Sequence, residues 1–245
     1  MKKLVTIMLL MLCTASFAEY PAGAEVLKKI DDNLSSDNRI ITSKMVIHSR
    51  RNSRTIESKS WSQGDKRAFT EYLSPAREKG TKMLKLEDKL WTFSPSTDRT
   101  IQISGHMLRQ SVMGSDLSYE DMMDDQKLSD IYEATVTGTE VIASRSCYIL
   151  QLEAKKSDAA YQSRILWVDE ERFVPVKEEL YAKNGKLLKN TLLEKFEFIE
   201  NRWFPMRMVY KDVLKDGKGT EFIIDSIEFN AEIPDHVFSK ASLRR

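Results

Sequence analysis

The chain has 245 residues, 41% of them hydrophobic and 31% charged, with 38 Lys and Arg against 37 Asp and Glu. A balance this close to neutral removes the electrostatic argument for nucleic acid or for a strongly charged membrane surface as partner. With 2 Cys in so long a chain, the fold has to be held by a buried core and not by a disulfide framework.

Lys2 and Lys3 precede an apolar run from Leu4 to Leu12, and small residues at Ser16 and Ala18 complete the pattern of a secretory signal peptide over residues 1–18, cleaved after Ala18. The run is too short to span a bilayer. Cys13 is a poor lipidation site because Met11 and Leu12, not small residues, stand before it. Removing the leader takes the net charge from +1 to about −1 and leaves Cys147 alone. The expected product is exported and folds as one domain over 19–245.

A helix is predicted over Ala22 to Ser36, where Val26, Leu27, Ile30 and Leu34 share a face. From Arg39 the period changes to two, with Met45 and Ile47 in the first strand run, followed by strands over Ile56–Trp61, Ala68–Leu73, Met83–Leu86, Leu90–Phe93 and Thr100–Ile103. Pro75 and Gly80 keep the stretch between the third and fourth out of the sheet. The basic group Arg50, Arg51 and Arg54 reads as a solvated hairpin end, with a partner-docking patch as the alternative.

Gly105 to Lys127 interrupts the strand pattern and holds Met107, Met113, Met122 and Met123, half of the Met outside the leader. Met adapts to irregular apolar partners, so this segment is expected to act as a mobile lid. It should form two short helices broken near Gly114 and hinged at Gly105, the second over Tyr119–Lys127 and opened by a capping box of Ser118 and Asp121. Glu120, Asp121, Asp124 and Asp125 read as the solvated face of that helix. Strands then resume over Ala134–Val141, Ser146–Ala154, Arg164–Asp169, Val174–Tyr181, Leu187–Ile199, Trp203–Lys211 and Thr220–Phe229. Phe204, Met206, Met208 and Tyr210 share one face, and Asn184-Gly185 is a tight-turn pair. The expected class is mainly β, a meander of antiparallel strands.

Catalytic signatures are missing from this sequence: Gly-x-Ser-x-Gly, Ser-x-x-Lys, His-Glu-x-x-His and a phosphate-cradling loop are all absent. His48, His106 and His236 lack metal-ligand spacing, the acids at 120–125 lack the pattern of a calcium loop, and Cys147 reads as a buried inert thiol. No catalytic residue, metal or cofactor is assigned.

Two stretches, GTKMLKLEDKLWTFSPSTDR (80–99) and GSDLSYEDM (114–122), resemble the outer-membrane lipoprotein-sorting proteins related to the periplasmic carrier LolA. Trp167-Val-Asp-Glu, Pro175 to Tyr181, Pro205 to Tyr210 and Ile227 to Phe238 are similar too. The resemblance implies a strongly curved antiparallel sheet forming an incomplete half-barrel, with helices over its apolar concave face. It also implies a monomeric carrier of lipoprotein acyl chains or another lipid, working between an inner-membrane transporter and an outer-membrane acceptor. On that reading Met107, Leu108, Met113, Leu117, Met122 and Met123 line the mouth of the cavity, and Trp61, Phe69, Trp91, Phe93 and Trp167 line its wall. The other readings are a non-catalytic lipid-sensing or protein-interaction module, an accessory binder of hydrophobic ligands for an inner-membrane exporter, and, least supported, a lipid hydrolase.

Overall fold

A computed structural model of the chain describes residues 20–48 and 52–244. The proposed leader, its cleavage site, Arg50 and Arg51 lie outside the described residues.

Among the described residues thirteen strands form one antiparallel sheet. They are β1 (Asn38–His48), β2 (Ser53–Gln63), β3 (Arg67–Ser74), β4 (Lys82–Leu86), β5 (Lys89–Ser94), β6 (Arg99–Ile103), β7 (Tyr132–Ile142), β8 (Arg145–Ala154), β9 (Ser163–Asp169), β10 (Pro175–Tyr181), β11 (Leu187–Ile199), β12 (Arg202–Asp212) and β13 (Gly219–Phe229). Their spatial order is β6-β5-β4-β3-β2-β1-β13-β12-β11-β10-β9-β8-β7. Two meanders, β1 to β6 and β7 to β13, therefore join where β1 pairs with β13, and β6 and β7 are left as the two open edges. The connection between those edges, residues 104–131, is the Met-rich segment.

Curvature follows from who touches whom. Helix α1 (Gly23–Leu34) packs on both β7 and β12, which stand five strands apart in the sheet. Asp124 and Asp125, adjacent in the chain, reach Arg164 on β9 and Lys85 on β4. Those two strands are eight positions apart, roughly 38 Å in a flat sheet at about 4.8 Å per strand. Only a sheet curled around the segment brings both within reach, and this is an incomplete half-barrel open between β6 and β7.

The sheet has two faces, set by the alternation of side chains along each strand. Toward the inside point Met45, Ile47, Ile56, Tyr72, Met83, Leu90 and Ile103, which cluster with Leu117. Also inside, α1 lays Val26, Leu27 and Ile30 on Leu150, Leu152, Leu166 and Val168. Each of these buried side chains is worth about 1.5–3 kcal/mol in transfer from water. Gly23 at the start of α1 is required by closeness, because a Cβ there would stand 2.1 Å from the Ala134 carbonyl oxygen.

On the outer face Phe69, Leu84 and Trp91 pack under the C-terminal segment through Ile233, Phe238 and Leu243, which belong to short 3-10 turns and their approach. Register explains the row, since Trp61 pairs with Phe69, Phe69 with Leu84 and Leu84 with Trp91 on neighbouring strands. Cys147 is free and fully buried on the same side, beside Trp167 and Val176; burial pushes its thiol pKa up, as expected of an inert group.

Candidate functional site: a cavity under an ion-paired lid

The segment between β6 and β7 is not the pair of helices its sequence suggests. It makes 3-10 turns at Gly105–Arg109, Val112–Gly114 and Asp121–Met123, and its first α-helical turn is α2 (Leu128–Ile131). The reason is competition for backbone donors. Val112 N–H donates to the Leu117 carbonyl (2.9 Å), Tyr119 N–H to Gln110 (3.1 Å) and Glu120 N–H to Leu108 (2.8 Å), so the chain folds back on itself; beyond it a single i→i−4 bond, Met122 N–H to Ser118 (3.2 Å), gives way to i→i−3 bonds at Met123 and Asp124 and no longer ladder forms. The capping box does form: the Ser118 amide and hydroxyl both donate to the Asp121 carboxylate (2.6 and 2.8 Å), and the Asp121 amide returns a bond to Ser118 Oγ (3.2 Å). It closes one 3-10 turn.

One anchor of the lid is deep and held mainly by hydrogen bonds around Asp116. Ser115, Asp116, Leu117 and Ser118 are buried. Asp116 is held on both sides: its amide donates to Thr220 Oγ1 (2.9 Å), its carboxylate accepts from the Thr220 hydroxyl (2.8 Å), and it also accepts from the Asp212 amide (3.0 Å). Lys215 Nζ donates to the Ser115 carbonyl (2.5 Å), and Arg54 donates to the Met113 carbonyl. Arg54 thus belongs to the lid contact and not to a free hairpin end. Gly219, one residue before Thr220, has φ +94° and approaches Tyr210 so closely that a Cβ would meet its carbonyl oxygen at 2.5 Å, which only glycine accommodates.

The second anchor is charged. Asp121 pairs with Lys189 and accepts from the Tyr161 hydroxyl (2.6 Å). Asp124 pairs with Arg164 (2.6 Å), and Asp125 with both Arg39 (2.5 Å) and Lys85 (3.3 Å). These acids were expected on a solvated helix face; the structure turns them inward, because without a helix the turn at Asp121–Met123 presents them to cations of the inner wall. Arg164 also takes Glu178 (3.1 Å) and donates to the Tyr132 hydroxyl (2.8 Å). Burial works against the Arg164 charge, but Glu178 and Asp124 outweigh it and its pKa is raised. Burial pushes the Glu178 carboxyl above its ordinary range despite Arg164. Asp121 is the opposite case: burial would raise it, yet Lys189, Ser118 and Tyr161 together hold it low. On α1, buried Asp31 accepts from the amides of Leu128 (2.8 Å) and Ser129 (3.1 Å), fastening the start of α2.

Between lid and sheet lies a cavity of about 390 Å³, within the roughly 300–1,000 Å³ of small-molecule sites. Most of its lining is apolar, including Ile41, Leu180, Leu193, Phe204, Met208, Phe222 and Ile224 from the sheet and Leu117 and Met122 from the lid. Arg39, Arg164, Lys189, Asp121, Asp124 and Glu178 supply a charged patch. Tyr210 shares the wall, its phenol pKa raised by burial.

Of the residues singled out in the sequence, the six of the lid come together: Met107, Leu108, Met113, Met122 and Met123 pack on the inner cluster to which Leu117 belongs. The aromatic group does not. Trp61 touches the edge of the cavity but packs against Phe69, ring centroids 5.8 Å apart, and with Trp91 and Phe93 joins the cluster beneath the C-terminal segment. Trp167 sits with Cys147 and Val176, donating its indole N–H to Glu140 (2.6 Å) under the Lys177 ammonium. Strand parity separates them from the lid residues. The row Phe204, Met206, Met208 and Tyr210 shares a face as its alternation predicts, and Phe204, Met208 and Tyr210 border the cavity. The wall cations were missed, although Lys85 within Met83–Leu86 and Arg164 beside Leu166 show the signal, a charge on the apolar face of a strand.

A family model described as that of an uncharacterized protein matches residues 64–245. Sequence comparison with curated proteins gives no match. In fold, the chain is similar to a DUF1329 family protein from Desulfovibrio piger, with a TM-score of 0.82 and 23% identity over 90% of this chain and 97% of that one. It is similar to a putative outer membrane lipoprotein-sorting protein domain from Vibrio parahaemolyticus, at 0.78 and 22% over 91% and 98%. A LolA superfamily protein from Nitrosomonas europaea aligns at 0.73 and 24% over 91% and 100%. With that family model running over most of its length, the chain belongs to the family it describes, and it shares its half-barrel fold with these three structures.

Proposed function

We propose that the protein is a non-catalytic periplasmic carrier that buries the acyl chain of a lipoprotein or another lipid beneath its lid and carries it toward the outer membrane. The observation that supports this most is the apolar cavity of about 390 Å³ between lid and sheet. Each acyl CH₂ withdrawn from water is worth about 0.8 kcal/mol, so a chain of about a dozen carbons gains on the order of 10 kcal/mol by entering such a space. A carrier must also let go. Met side chains at the lid suit that, because their contacts re-form with little preferred geometry. Among the described residues no helix is long and apolar enough to cross a membrane, in keeping with a shuttle between membranes.

The cargo arrives from an inner-membrane transporter and leaves to an outer-membrane acceptor on this reading, with the protein acting as a monomer. Incubation with a labelled phospholipid tests it. Saturable binding with the lipid recovered intact is the expected result, and release of free fatty acid by the protein alone contradicts a pure carrier.

A further inference from the structure

Four cations stand on the wall under the lid: Arg39 on β1, Lys85 on β4, Arg164 on β9 and Lys189 on β11. Their side chains are only 22%, 5%, 7% and 13% exposed. Three lid carboxylates pair with all four, Asp121 with Lys189, Asp124 with Arg164 and Asp125 with both Arg39 and Lys85. On the sheet itself Glu178 faces them, bound to Arg164, while Asp31 of α1 is occupied by the amides of Leu128 and Ser129. Without the lid acids, the wall holds more positive charge than Glu178 can balance.

Burying ion pairs of this kind is a poor way to keep a lid shut, since desolvation offsets most of their attraction and apolar side chains of similar volume hold as well or better. The charged arrangement has one property that apolar packing lacks. An anion from outside can take the place of a lid carboxylate without leaving a buried cation unpaired. Arg164 offers a planar fork suited to carboxylate or phosphate oxygens, and the Tyr161 hydroxyl, now donated to Asp121 (2.6 Å), is a further donor at the same spot.

We propose that the cavity takes an amphiphile with an apolar chain and an anionic head, carboxylate or phosphate, whose head exchanges with Asp121 and Asp124 on Lys189 and Arg164 and so releases the lid. The inference rests on the carrier reading and names its ligand class. A lipid with a neutral head finds the same apolar wall but has nothing to offer the cations, so it enters without the exchange.

The test uses the full protein and three probes of one chain, oleate, oleyl phosphate and oleyl alcohol, each displacing nile red, with amide exchange followed over residues 119–127. The two anions should bind at least roughly tenfold more tightly than the alcohol and should speed exchange in the lid, which the alcohol should not. The preference should shrink in Lys189→Gln. If that variant does not fold, Asp124→Asn serves, because weakening the lid's own competitor on Arg164 should tighten oleate binding severalfold more than it changes binding of oleyl alcohol. Equal affinity for acid and alcohol overturns the inference and leaves the carrier reading standing. Displacement by none of the three overturns both. Inorganic phosphate alone loosening the lid as far as oleyl phosphate does overturns the assignment of an amphiphile.

Discussion

Two segments of the same chain cover the two faces of one sheet, and they are held by different forces. The C-terminal segment sets Ile233, Phe238 and Leu243 against Phe69, Leu84 and Trp91. Its polar contacts are peripheral: the exposed Arg67–Asp235 pair (2.9 Å), the Arg67 guanidinium 4.7 Å from the Phe238 ring and the Lys240 ammonium 4.3 Å from the Trp91 ring. The lid also buries apolar side chains, but it keeps a cavity beneath it and is tied by carboxylates to cations inside the wall. An apolar cover holds under all conditions in which the sheet holds. A cover tied by charge holds only while its charges find no better partner.

The largest expected effect comes from breaking the charged side of this contrast. Arg164→Met strands Asp124 and Glu178 in the wall and should lower unfolding stability by about 3–5 kcal/mol. Adding Asp124→Asn and Glu178→Gln should recover most of that loss in urea titrations, since the cost is the unpaired charge and not the missing arginine. On the apolar side, Leu243→Ala should cost about 2–5 kcal/mol and leave lipid affinity of the folded protein unchanged. Altered affinity would mean that the two covers communicate through the sheet. Replacing Met122 and Met123 together with Asp should abolish lipid uptake at a stability cost of about 1–2 kcal/mol, because both are partly exposed. Unchanged uptake would remove the lid from the mechanism.

The smallest effect is a pH dependence with two signs. Glu178 has its pKa raised in the folded protein, so the stability linked to its proton is complete below the ordinary carboxylate range and is lost as pH rises through the raised value. Asp121 is held low; its contribution is present above the ordinary Asp value and is lost as pH falls through the depressed one. Urea midpoints followed across the acid range should show Glu178→Gln flattening the loss on the rising side and Asp121→Asn flattening the loss on the falling side.

Much of this architecture is legible in the sequence for local reasons. Strand alternation and turn residues mark thirteen segments, and each finds its place in the sheet. Apolar residues at helical spacing mark α1, observed at Gly23–Leu34 against the predicted Ala22–Ser36. The lid is legible as a non-strand rich in Met, but its shape is not. Helical signals there lose to cross-chain bonds such as Tyr119 to Gln110. The ion pairs are illegible for a plainer reason: Asp125 lies 86 residues from Arg39, and Asp121 lies 68 from Lys189, so no local pattern connects them. The aromatics show the limit from another side. Trp61, Phe69 and Trp91 are aligned by register, yet nothing in their alternation says which face the C-terminal segment will cover. Pairing geometry puts them in one row, and only the distant Phe238 and Leu243 decide that most of the row is a filled core.

The central claim is that the space under the lid is built to hold a lipid. Native mass spectrometry of the protein after gentle extraction tests it most directly. The account predicts a bound species with an acyl chain, retained in Leu243→Ala and lost when Met122 and Met123 are both replaced by Asp; a protein that is empty in every preparation would contradict it.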